Sequence, residues 1–182
     1  SEQSSSKLRI ATFNVSMEAL NYLPSTPDKT VDVKGNELAL ALAQDHQQIR
    51  NIAEIIQRVN PDIILLNEFD GNTGVATGYD LNNDGKIGKL PGDAYGYGHF
   101  SGHFSMALLS KYPIDVDKIR TFQLFKWRDM PNALMPVEQK TQRPWYSAQA
   151  WNNFRLSSKS HWDIPLNVNG NELHILASHP TP

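Results

Sequence analysis

No cysteine occurs in the 182 residues of this chain. No disulfide can therefore hold the fold, and no thiolate can act as nucleophile or metal ligand, so any chemistry rests on oxygen and nitrogen groups. Long apolar runs are missing as well. Nothing approaches the length needed to cross a bilayer, and no membrane span is expected. Strong charge of either sign is also absent: 17 Lys and Arg stand against 19 Asp and Glu. That balance is too weak for a protein that coats nucleic acid. The opening residues, Ser1-Glu2-Gln3-Ser4-Ser5-Ser6, are polar and contain no apolar signal core. They fit the new end left by signal-peptide removal, or a plain boundary, and a secreted or periplasmic location is the expectation. The lack of cysteine suits that compartment and the cytosol equally.

What is present is ordinary globular composition, 40% hydrophobic and 20% charged, with enough chain for one domain and a real core. The charge is uneven. Residues 1–103 carry 8 Lys and Arg against 13 Asp and Glu, whereas residues 104–160 carry 9 against 4. The basic middle could face an anionic substrate or simply coat solvated strands and loops.

Leu8–Phe13 reads as a strand ending at Asn14. Ile49, Ile52, Ala53, Ile56 and Val59 recur with helical spacing, which predicts a helix over 45–59, and Asn60-Pro61 stops it. Residues 62–66 form a continuous apolar run, the mark of a strand buried on both faces. If the two strands are parallel through a right-handed crossover, Asn14 and Asn67-Glu68 arrive at one edge of the sheet. Nine of the eleven glycines lie between Gly71 and Gly102, a segment that reads as one long loop. Strands are predicted at 104–110, 119–125, 147–156, 161–168 and 172–177, the last two joined by the tight-turn pair Asn169-Gly170. The reading is mixed α/β, richer in strands toward the C-terminal end.

Four stretches, in order, carry a resemblance: LRIATFNV (8–15), PDIILLNEFD (61–70), MALLSKYPI (106–114) and LHILASHPTP (173–182). Together they resemble the endonuclease/exonuclease/phosphatase family. The resemblance implies an α/β (α+β) fold, a two-layer mixed β-sandwich flanked by helices and deoxyribonuclease-I-like. It implies that only the N-terminal part is present, as one incomplete domain over 1–182 with a glycine-rich insertion at about 71–103. It also implies metal-dependent hydrolysis of phosphoesters by in-line attack of water, as phosphodiesterase, nuclease or phosphatase. The weak net charge and aromatic loop lean away from a processive nuclease.

By the same resemblance Glu68 is the carboxylate for Mg²⁺ or Mn²⁺, and Asn14 helps to place metal or phosphate. A hard cation that keeps several waters needs only one or two carboxylates. The family usually has Gln before this Glu; here it is Asn67. His179 matches a histidine that hydrogen-bonds phosphoryl oxygens. Arg143 resembles a phosphate-contacting arginine, or is a plain surface residue. The family's Asp-x-Asn and terminal Asp-His motifs have no counterpart in the sequence. The remainder of the domain is therefore expected as a partner beside the phosphoester substrate, and residues 1–182 alone are expected to be inactive.

Asp80, Asn82, Asp84 and Gly85 follow the opening of a calcium loop, but its twelfth position is Pro91. Asp93 could stand in for the missing Glu. The loop either holds Ca²⁺ or is an ion-free turn. The histidines show no zinc spacing; His174 reads as structural, while His99 and His103 could touch substrate. A calcium-stabilised extracellular binding module with the same fold and no catalysis is the competing reading.

Overall fold

The computed structural model describes residues 7–24, 32–71, 80, 84–88, 99–100, 102–157 and 159–180. Strand β1 (Ile10–Met17) is followed by helices α1 (Glu37–Ala43) and α2 (Gln47–Val59) and strand β2 (Ile63–Phe69). Then come β3 (Met106–Ser110), the two-residue β4 (Arg120–Thr121), helix α3 (Ala148–Asn153), β5 (His161–Val168) and β6 (Asn171–Ser178). They form two sheets ordered β1-β2-β3 and β4-β5-β6. β1 and β2 are parallel, and the remaining pairs are antiparallel. No helix among the described residues is long and apolar enough to cross a membrane.

The apolar stripe of α2 does what its spacing predicts. Ile52 is buried and Ile49 and Ile56 pack beside it against Val15, Met17, Ile64 and Leu66 of the first sheet. The helix starts where His46 Nδ1 accepts the Gln48 N–H at 3.2 Å. It ends where Asn60, at φ +48°, sends its N–H to the Ile56 carbonyl at 2.8 Å. Successive residues of β2 point to opposite faces. Ile64 and Leu66 meet the helices, while Ile63 packs with Ile164 and Leu166 of the second sheet. The first sheet is thus covered by helix on one face and by strands on the other, as the unbroken run 62–66 implies. Ile63 and Leu166 are almost fully buried, and each such side chain contributes about 1.5–3 kcal/mol of hydrophobic stabilisation.

Three sequence expectations need correction. Residues 147–156 are not a strand: Ser147 caps α3, its Oγ accepting the Ala150 N–H at 3.1 Å, and Ala148-Gln149-Ala150 favours helix. The strand at 119–125 shrinks to Arg120–Thr121, because its chain turns at once, with the Phe125 N–H donating to the Phe122 carbonyl at 3.1 Å. β1 runs past Asn14 to Met17 through an irregularity in its register with β2. The Asn169-Gly170 turn holds, with φ of +53° and +87°, the doubly positive pair that matches strand twist in a hairpin.

Candidate active site

Parallel pairing sets Asn14 beside Asn67, and Glu68 is the next residue on β2. Its backbone is left-handed, at φ +55°, a conformation that costs a non-glycine residue about 1 kcal/mol or more. The surroundings hold it there. Asp70 accepts the Ala19 N–H at 2.7 Å and the Phe104 N–H at 2.8 Å. The Phe69 N–H donates to the Ser105 carbonyl (3.0 Å), that of Asp70 to Met17 (3.1 Å) and that of Gly71 to Gly102 (2.9 Å). The last bond closes the neck of the glycine-rich segment. Gly102, at φ +91°, leaves no room there: a Cβ would lie 1.4 Å from the Gly71 carbonyl oxygen.

Behind this turn lies a buried polar group. Glu18 Oε2 and His103 Nε2 are 2.9 Å apart, both side chains almost wholly buried. The His103 ring is stacked on Phe100 at 4.6 Å and on Phe104 at 3.9 Å. His103 therefore fastens the loop to the end of β1 and is not at a surface where substrate passes. Burial pushes the Asp70 carboxyl up to about 6, against the Phe104 and Ala19 N–H groups and His103, with Glu18 adding to the rise. Tyr22, whose O–H donates to Gln48 Oε1 at 2.7 Å, is pushed up to about 12 by burial and by the charges of Asp70 and Glu18.

His179 follows β6 directly. Its Nε2 lies 3.6 Å from Glu68 Oε1, and both side chains are about a quarter exposed, at 23% and 25%. Two residues 111 positions apart in sequence, one from each sheet, thus meet. Asn14 Oδ1 accepts the Ser16 N–H at 3.1 Å, which fixes the amide while leaving an oxygen lone pair. Asn67 Nδ2 donates to Thr12 Oγ1 at 3.0 Å, and its buried Oδ1 has no partner among the described residues. Lys159 was not singled out from sequence. Burial pulls its pKa down while the Glu68 charge holds it up, and Nζ sits 5.6 Å from the centre of the Phe104 ring.

Arg143 is exposed on a turn, where its carbonyl accepts the Glu138 N–H at 3.0 Å. No described contact joins it to Glu68 or His179. Of the calcium-loop residues, Asn82 and Asp93 lie outside the described residues. The Asp80 carboxylate accepts the N–H of Asp84 at 3.2 Å and of Gly85 at 3.0 Å, and Gly85 has φ +80°.

Among the described residues no group of three His, Asp or Glu side chains is arranged to hold a metal ion. One carboxylate with an amide oxygen on the neighbouring strand is a hard-oxygen set, and it fits Mg²⁺ or Mn²⁺. The orphaned Asn67 Oδ1 beside Glu68 is consistent with a polar occupant close by.

The family model described as endonuclease/exonuclease/phosphatase family matches residues 11–181. The chain belongs to this family. No curated protein and no solved structure matches it. As a member of the endonuclease/exonuclease/phosphatase family it has the mixed α/β, deoxyribonuclease-I-like architecture. Membership also points to hydrolase activity of the phosphoesterase kind.

Proposed function

We propose that the protein hydrolyses phosphoesters with a divalent cation, Mg²⁺ or Mn²⁺, held by Glu68 with help from Asn14. The observation that carries this reading is the 3.6 Å approach of His179 Nε2 to Glu68 Oε1. It sets an imidazole next to a carboxylate suited to a hard cation. The cation, when bound, neutralises charge on the phosphoryl oxygens. With Nε2 protonated, His179 donates a hydrogen bond to a non-bridging oxygen, and that bond strengthens as negative charge builds there. Lys159 supplies a second positive charge at the same edge. In the overall reaction a water oxygen bonds to phosphorus as the ester P–O bond breaks on the opposite side. Over the whole reaction one water proton is transferred to the departing oxygen, which leaves as an alcohol, and the water oxygen stays on phosphorus.

The test uses the complete protein with Mg²⁺, assayed on DNA, a chromogenic phosphodiester and a phosphomonoester. Glu68→Ala should lower turnover by a few orders of magnitude on whichever ester the wild type cleaves, as loss of a catalytic cation does. His179→Ala should cost about 10²–10³. Glu68→Ala with wild-type turnover and unchanged Mg²⁺ dependence would refute the assignment.

A further inference from the structure

A cleft of about 630 Å³ opens between the strand end at Pro180 and the segment around Trp127 and Tyr146. Pro180, part of its wall, follows His179 directly, and His161, also in the wall, pairs with Ser178 across β5 and β6. Trp127, Tyr146, Phe154 and Leu156 supply most of the rest. Tyr146 stands edge-on to Trp127 (6.5 Å between ring centres, 68°) and to Phe154 (4.7 Å, 72°). Trp151, from α3, tilts against Trp127 at 5.1 Å. Main-chain bonds fix the wall: the Trp127 N–H donates to Phe154 at 3.0 Å and the Leu156 N–H to Phe125 at 2.8 Å.

We propose that this cleft receives the organic group esterified to the phosphate, and that the group it selects is a planar aromatic one. This rests on the phosphoester-hydrolase reading. The volume lies within the range of small-molecule sites. Rings crossed at steep angles offer both faces and edges to a flat π-system. Aromatic walls also attract quaternary ammonium groups, but Arg155 lies in the wall too, and its charge opposes a cation. A short alkyl alcohol would leave most of the rings untouched. Because Pro180 adjoins His179, a phosphate placed at His179 and Glu68 has its ester group at the mouth of the cleft.

Two measurements on the complete protein separate this idea from the reading beneath it. The first is titration with 1-naphthol, a ring without phosphorus, followed at the Trp127 indole N–H resonance, which Trp127→Leu assigns by its loss. The second compares KM for 1-naphthyl phosphate with KM for methyl phosphate. Naphthol should move the Trp127 resonance in the wild type and equally in Glu68→Gln. The naphthyl ester should have a KM roughly three- to tenfold lower than the methyl ester, the scale of one aromatic pairing. Tyr146→Leu should bring that ratio toward one. If Tyr146→Leu misfolds, the two wild-type measurements still decide. An unmoved Trp127 resonance at saturating naphthol, or equal KM for both esters, overturns the inference. A moved resonance with neither ester hydrolysed upholds aromatic binding, and if DNA and the chromogenic phosphodiester are also left intact it sinks the hydrolase reading instead.

Discussion

Asp70 accepts the N–H groups of Ala19 and Phe104, and through them it holds the turn that keeps Glu68 left-handed. Asp70→Ala leaves both donors without their acceptor. A buried donor left unsatisfied costs about 1–3 kcal/mol, and 1 kcal/mol moves the midpoint of a chain this size by about 2–4 °C. Calorimetry should therefore find a midpoint several degrees lower, and a Mg²⁺ titration of activity should shift to higher concentration as Glu68 loosens. A variant equal to wild type in both would mean that the turn is held by its main-chain bonds alone. Asn14, Glu68 and His179 stood out in the sequence through the family resemblance that the four ordered stretches carry. The Glu18–His103 pair did not. They are 85 positions apart, and only the folded chain makes them neighbours. The same holds for Lys159, whose significance lies in the nearness of Glu68.

Among the elements, α2 and the β5–β6 hairpin were legible because apolar spacing, Pro61 and Asn169-Gly170 all agreed. α1 was missed: ELALALA alternates every second residue, and only the burial of Leu38 and Ala41, three apart, reveals the helix. The run 147–156 reads as a strand in the sequence, and the Ser147 cap of α3 decides otherwise. The hairpin carries its own prediction. On β6, His174 Nδ1 lies 2.7 Å from Asp163 and its Nε2 2.9 Å from Glu172, while Arg120 also binds Asp163 at 3.0 Å. Asp163 and then Glu172 raise His174 above its ordinary 6.5. Arg120 and then His174 lower Asp163 below 3.8, and His174 and then Lys118 lower Glu172 below 4.5. The stabilisation from His174 is complete below pH 6.5 and fades as pH rises through its raised value. That from the carboxylates is present above their ordinary values and fades as pH falls through the lowered ones. The thermal midpoints of wild type and His174→Ala should therefore differ most between about pH 5 and 6.5 and converge in alkali. A gap that stays flat up to pH 9 would show that the imidazole forms no such pairs in solution.

For the molecule as a whole, the decisive contact is between the sheets. Glu68 stands on one and His179 follows the edge of the other, so their distance depends on Ile63, Ile164 and Leu166 between them. Leu166→Ala should cost about 2–5 kcal/mol, seen as a lower midpoint in denaturant. Turnover at a temperature where the variant is still folded should fall as well, although the substitution touches neither site residue. Unchanged turnover in the folded variant would mean that the sheets keep their spacing without that side chain. The neck at Gly71 and Gly102 has the opposite character, because it is local: one main-chain bond joins the two ends of the segment, and Phe100 near its C-terminal end stacks on His103. Closing a loop twice as long costs only about 0.6 kcal/mol more. The neck therefore works as a socket: the length of chain between its two ends can vary at small cost while the bond that joins them stays the same.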